Sequence, residues 1–589
     1  MEIRRGRIGS VALAALVVVF LAPAAADAGR PIEGSHGCRT QFCANISEDG
    51  ARVVFPSGQE LVAGAGPNQL YEWEAGALRP LLAPGLAQDW RLELAGASAD
   101  ATHVFVSTGA ALSPEDLDGS GLDIYDLFAG TATLVSTGPR DVPGPQALLT
   151  SAFEGASPDG SRVFFRDMRA LTAEDLDRCP SLYERAAGTT RLIAPNPEPP
   201  PYPVCESPAF GGFSGDGSHL FFVTGVDLEV GDEGRDDLYQ QVGAVATRLT
   251  AYPRWQSSCV ERPRFVASSA DGRTIVFSTN APVLPEDTNG TDDLYKLRAG
   301  GSFVLISKGT PAGDGCSPFG RVRGVALSAD GGTTIFETSA VLSPADRDAA
   351  PDLYAAAEGG SFELLSTGPT DPQVKEPTTI FPDWLVLVSD DAGTVAFETR
   401  QRLVGADVDD TADVYIRVGG VTSLLSEAPP GTPAPNAGME LSGLAADGSA
   451  VVFATRAGLV AGDTNRERDY YLRRLGSKRP VLLSAESIPP TMRIARRAAR
   501  LRAARVAVRL TCPKTERNGP CRGNLRLADG RLGETLGRSA FEIAVGERER
   551  IVVRLRRQLS PARRTLFARA LGVDRLGNAR AATRTLRLK

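Results

Sequence analysis

Histidine is almost missing from this 589-residue chain: only His36, His103 and His219 occur. So few imidazoles leave no histidine-rich metal centre and remove the commonest general base. His103 and His219 share one repeat slot, which other copies fill with Arg52, Arg162, Thr274, Thr333, Thr394 and Ala450. A slot that accepts Arg, Thr and Ala reads as an exposed strand position, not a base. A serine-hydrolase elbow needs Gly-x-Ser-x-Gly, and Gly212-Phe-Ser-Gly-Asp216 fails at its last position. After the first 30 residues no stretch is long and apolar enough to cross a bilayer.

The opening residues read as an export signal over 1–28. Arg4, Arg5 and Arg7 form a positive stretch, Val11–Leu21 is a short apolar run, and Ala24-Ala-Ala26 offers small-residue cleavage sites. An uncleaved anchor is the competing reading. The expected product is soluble and monomeric, either secreted or held in the cell envelope. The eight cysteines suit that compartment. They fall into sequence-near pairs, Cys38/Cys43, Cys179/Cys205, Cys259/Cys316 and Cys512/Cys521, and are candidate disulfides whose connectivity stays open.

What the chain has is repetition. A Ser-x-Asp-Gly mark recurs eight times, with its Asp at Asp49, Asp100, Asp159, Asp216, Asp271, Asp330, Asp391 and Asp447. Six residues later stand Phe55, Val106, Phe165, Phe222, Phe277, Phe336, Phe397 and Phe453. Roughly 24 residues past each Asp comes Tyr71, Tyr125, Tyr183, Tyr239, Tyr295, Tyr354, Tyr415 or Tyr471. Each unit holds four short apolar runs, and Asp-Gly between two of them signals a hairpin. One four-stranded sheet per unit cannot bury both its faces, so the sheets must stack on one another around an axis.

Ser157-Pro-Asp-Gly160 and Ser269-Ala-Asp-Gly-Arg-Thr-Ile-Val-Phe277 closely resemble the PD40 (WD40-like) repeats of bacterial TolB-type propellers. The resemblance covers about residues 42–486. It implies an all-β fold with an eight-bladed propeller over 34–486, seven blades with a divergent unit being the alternative. It also implies a protein-binding role and carries no catalytic site. Ala101 and Ala392 depart from the pattern at the turn Gly, and Ala445 departs at the Ser.

Charge breaks near residue 486. Residues 487–589 hold 26 Lys/Arg against 7 Asp/Glu, whereas the rest holds 38 against 64. Ile488-Pro-Pro490 reads as the hinge. Alternating runs at Arg505–Cys512, Asn524–Leu527, Ile551–Leu555 and Thr583–Leu586 predict a small immunoglobulin-like β-sandwich. Ser560–Ala568 reads as a short helix, with Ser560 as its cap and Pro561 at its first turn. The module resembles Arg-rich modules appended to secreted actinobacterial proteins. Its positive charge suits the acidic propeller or a cell-wall polymer. Nucleic acid is disfavoured, because Phe541 and Phe567 make no stacking platform. An arginine-coated solvated face is the plainer reading.

The best candidate site is the acidic loop before each Tyr strand. Asp287, Asn289 and Asp293 are matched by Asp463, Asn465 and Asp469, by Asp407, Asp409 and Asp413, and by Asp346, Asp348 and Asp352. Alternating hard oxygens in a tight loop suit calcium at about 10⁻⁴–10⁻³ M, since the late bidentate Glu is missing. The competing reading is a set of Asx-turns without metal. Arg254 and Trp255, in a long loop, are candidates for a protein contact. The leading functional expectation is a non-catalytic scaffold that binds a protein or polymer outside the cytoplasm. The alternative is a lyase or hydrolase with its site at the propeller axis.

Overall fold

Apolar runs of four to six residues broken by Asp-Gly turns are too short for helices, and every regular element among the described residues is a β-strand. The computed structural model describes residues 44–588 apart from 84–91, 140–150, 195–207, 251–262, 309–321, 370–384, 426–437, 485–491 and shorter stretches. No helix among the described residues is long and apolar enough to cross a membrane.

Eight successive four-stranded antiparallel sheets form in chain order. They are β1–β4 between Asn45 and Pro80, β5–β8 between Glu93 and Leu134, β9–β12 between Ala152 and Leu192, and β13–β16 between Ala209 and Arg248. Next come β17–β20 between Arg264 and Leu305, β21–β24 between Arg323 and Leu364, β25–β28 between Val386 and Leu424, and β29–β32 between Met439 and Leu482. The fifth sheet shows the plan, with β17 (Arg264–Ser268), β18 (Ile275–Thr279), β19 (Asp293–Leu297) and β20 (Phe303–Leu305). Phe277 pairs directly with Tyr295, and Tyr295 with Leu305. The repeat marks are thus cross-strand neighbours, and the pairing recurs in every sheet, from Phe55 with Tyr71 to Phe453 with Tyr471. The Phe277 and Tyr295 rings stack at 5.8 Å. A bulge between Phe265 and Ala267 in the first strand adds local twist and recurs in most of the other sheets.

The core is divided among the seams between sheets. Val54 and Leu70 pack with Val104 and Tyr125, joining the first sheet to the second. Phe221 and Leu238 pack with Phe277 and Tyr295, joining the fourth to the fifth. The other successive sheets meet in the same way. Ile46, Phe55 and Tyr71 pack with Val452, Tyr470 and Leu472, so the last sheet meets the first. Each large apolar side chain buried at a seam contributes about 1.5–3 kcal/mol.

The residues after 491 build a separate core from two sheets. One contains β33 (Arg493–Ile494), β35 (Leu501–Arg502), β36 (Arg505–Thr511) and β39 (Arg548–Arg554). The other runs β34 (Ala498–Ala499), β41 (Ala579–Leu588), β40 (Thr565–Val573), β37 (Cys521–Ala528) and β38 (Thr535–Ile543). The helix expected over Ser560–Ala568 does not form over its second half: Thr565–Ala568 begin β40. Leu566, Ala568 and Ala570 alternate into the core, and that period of two overrides the Ser-Pro start signal. The disulfide Cys512–Cys521 links β37 to the end of β36. Cys179 is also disulfide-bonded. Cys38, Cys43, Cys205, Cys259 and Cys316 lie outside the described residues.

Candidate functional site at the Ser-x-Asp-Gly turns

Each Ser-x-Asp-Gly turn is a small hydrogen-bonded unit. The Ser47 hydroxyl donates to Asp49 Oδ1 at 2.7 Å and accepts the Arg52 N–H at 2.9 Å. The same pair of bonds recurs from Ser98 to Ser389. In Asp49, Asp271, Asp330 and Asp391 the serine hydroxyl, helped by a backbone N–H, holds the carboxyl below its ordinary range. All eight of these aspartates are exposed.

The residues between Ser and Asp, together with Asp216 and Asp447, link the turns to one another. Glu48 N–H donates to Ala99 O at 2.9 Å, and Ala99 N–H donates to Pro158 O at 2.7 Å. Asp216 donates to Ala270, Ala270 to Ala329, Ala329 to Asp390 and Asp390 to Ala446, at 2.6–2.9 Å. Asp447 N–H then returns to Glu48 O at 3.5 Å. Pro158 has no N–H to give. There the third and fourth turns meet through Arg162 Nη1, which donates to Gly217 O at 3.2 Å.

The slot just before the turn Asp holds Ala, Pro or Gly in six turns; in the other two it holds Glu48 and Asp390. Their carboxyls therefore join the same circle of turns. Partial desolvation, then Asp100 and Asp49, raises the carboxyl of Glu48, which still reaches solvent. Partial desolvation, then Glu48, Asp391 and Asp447, pushes the surface-reaching Asp390 up to about 6. These two carboxylates are not part of the repeat, and sequence reasoning passed over them. The available signal was their contrast with six small residues in the same slot.

The histidine slot is not the exposed position expected of it. A Cβ on Gly160 would lie 2.7 Å from His103 Cβ, and one on Gly272 would lie 2.6 Å from His219 Cγ. Thr394 and Ala450 meet Gly448 and Gly50 in the same way. The slot is a contact between sheets, and any side chain that fits against the next turn glycine is accepted. His103 also bonds Asp126 at 2.8 Å and stacks on Phe128 at 4.0 Å. His36 lies outside the described residues.

In the acidic loops the two ends of each motif have different partners. Tyr295 donates its hydroxyl to Asp287, Tyr354 to Asp346, Tyr415 to Asp407 and Tyr471 to Asp463. Burial and that aspartate raise the phenol in each case. Six residues on, Ser307 donates to Asp293, Ser366 to Asp352 and Ser484 to Asp469. Asp413 is buried at the start of β27 (Asp413–Val418). Asn289 Oδ1 accepts the Thr291 N–H at 3.0 Å, an Asx-turn. Asp348, Asp409 and Asn465 lie outside the described residues, as do Arg254 and Trp255. Among the described residues no group of three or more His, Cys, Asp or Glu is placed to hold a metal ion.

No family model and no curated protein matches this chain. Solved structures resemble it loosely. The β-propeller domain of the Trilobed protease from Pyrococcus furiosus aligns with 76% of this chain and 100% of its own, at 11% identity and a TM-score of 0.32. A puromycin-hydrolyzing peptidase from Mycobacterium tuberculosis aligns with 81% of this chain and 58% of its own, at 15% and 0.35. The WD40 domain of SCAP from fission yeast aligns with 71% and 95%, at 9% and 0.34. The chain is built on a β-propeller repeat. That statement rests on its own seams and linked turns, because likenesses this loose carry no argument about activity.

Proposed function

We propose that the chain is an eight-bladed propeller with an appended immunoglobulin-like module, exported from the cytoplasm, and that it works as a non-catalytic scaffold. The observation that carries this reading is how the repeated polar residues are used. Each turn Ser holds an Asp, six of the eight repeat Tyr hydroxyls hold a loop Asp, and His103 and His219 fill seams. Contact with the last sheet through Asp447, Arg474 and Ala450 favours eight blades over seven. The partner, a protein or an envelope polymer, is recognised by loops from several blades. Cross-linking in the extracytoplasmic fraction tests this. The expected links to one partner map to loops of three or more blades, and no partner at all would remove the scaffold role.

A second reading has its own observation. Glu48 and Asp390 are two non-repeated carboxylates at the linked turns, one of them raised to about 6, and a paired acid and base could work there. A hydrolase or lyase with its site at the axis would turn over a substrate in a peptide and glycan panel and lose that activity in Glu48→Gln/Asp390→Asn.

Calcium in the loops around Asp287–Asp293 belongs to this proposal as a structural ion. A rise in melting temperature with millimolar calcium, reversed by EDTA and lost in Asp287→Ala/Asp293→Ala, supports it. A melt that ignores calcium removes it.

A further inference from the structure

We propose that the outer face of β36 and β39 is a binding surface for a flexible, linear phosphate polymer, held by charge without base stacking. The two strands pair with Arg505 opposite Arg554, Ala507 opposite Val552, Arg509 opposite Arg550 and Thr511 opposite Arg548. Val506, Val508, Leu510, Ile551 and Val553 point the other way, into the core. Alternation therefore places all five arginines on one exposed face. Glu549, the single carboxylate in these strands, sits at the opposite parity against Leu510.

Like charges directly opposite each other across a ladder destabilise a sheet. This face has two such rungs, Arg505/Arg554 and Arg509/Arg550. None of the five guanidinium groups has an ion pair or hydrogen bond among the described residues. The propeller treats arginine differently. There Arg52 meets Glu74 at 3.1 Å, Arg162 meets Glu184 at 2.6 Å, and Arg417 meets Glu363 at 2.9 Å. An arginine-rich composition alone would scatter these residues among acids, as it does in the sheets. The second sheet of the module also brings arginines into register, with Arg538, Arg526 and Arg569 across β38, β37 and β40.

The face selects its ligand class by what surrounds the arginines. It has no aromatic ring, so bases have nothing to stack on. Its apolar content is Ala507 and Val552, too little for a protein hot spot. Guanidinium forks match phosphate oxygens in pairs. Rungs about 13 Å apart along the strands suit an extended chain that bears a charge on every unit. The inference is independent of the propeller reading.

Inorganic polyphosphate is the probe, titrated against the full chain over a range of salt. Binding should weaken steeply with salt. Arg509→Ala/Arg550→Ala should lower affinity roughly tenfold or more and reduce the log–log salt slope by about two. Arg273→Ala/Arg298→Ala removes the same charge from the propeller and should leave binding unchanged. The thermal melt of the Arg509/Arg550 variant should be unchanged or higher, which separates lost binding from lost folding. Equal weakening by both variants would reduce the effect to net charge and overturn the proposal. So would binding of oligothymidylate without polyphosphate, or a salt-reversible self-association that accounts for all the charge dependence.

Discussion

The Tyr415 hydroxyl donates to Asp407 Oδ2 at 2.5 Å and accepts the Leu403 N–H at 3.3 Å. One phenol thus ties the strand pairing of its sheet to the loop that enters it. Tyr415→Phe keeps the ring against Phe397 and takes one hydrogen bond from a buried carboxylate, which costs about 1–3 kcal/mol. Asp407→Ala alone should cost a similar amount. The double variant should cost less than the sum, with a coupling of about 0.5–3 kcal/mol in urea unfolding.

Gly50 and Gly243 share a left-handed backbone, with φ of 65° and 60°. Either Gly→Ala change pays about 1–2 kcal/mol for that conformation. Gly243 has open space around it, whereas a Cβ on Gly50 would lie 2.8 Å from Ala450 Cβ in the last sheet. Gly50→Ala should therefore lower the melting temperature clearly more than Gly243→Ala. Equal effects would mean that the first and last sheets do not meet at this contact.

Ala392 occupies a turn glycine's place with φ at 55°. Ala392→Gly removes that strain and loses some unfolded-chain restriction, so a net gain of about 0.5–1 kcal/mol is expected. Denaturant midpoints with an unchanged slope would measure it.

Stability should peak in mildly acidic solution. The turn carboxyls, Asp271 and Asp330 among them, lie below the unfolded value of 3.8, so their contribution is present above that value and is lost as pH falls through their folded values. Asp390 at about 6 and Glu398 at about 7 lie above their unfolded values of 3.8 and 4.5. Desolvation is the main cause for both, and the folded state holds those protons longer. Their contribution is complete below the unfolded values and is lost as pH rises through about 6 and 7. Asp390→Asn/Glu398→Gln should flatten the decline between pH 4 and pH 8 in a series of melts.

The scaffold was legible because its signals are local. Asp-Gly turns fix hairpins, and the Phe and Tyr marks turned out to be direct cross-strand partners. What stayed hidden depends on contacts between distant segments. Glu48 and Asp390 come together only when the turns link, 342 positions apart in the chain. The arginine rungs need the register of β36 on β39, which no single segment states. The β40 segment was misread because Ser560-Pro561 is a strong local start signal, while its inward residues beyond Leu566 are only alanines.

The first and last sheets share no strand; each of the eight is drawn from one continuous stretch of chain. Among the described residues no strand clasps the first sheet to the last, and that seam is made of side-chain packing and turn contacts like those between successive sheets. The circle's resistance to opening is then set by whichever seam is poorest. Between the third and fourth sheets a missing Pro158 N–H leaves Arg162 as the bridge between turns, backed by Phe164 against Phe210 and Phe213. Opening at any one seam would therefore leave the remaining sheets joined as a continuous row, with no strand to be pulled out of pairing.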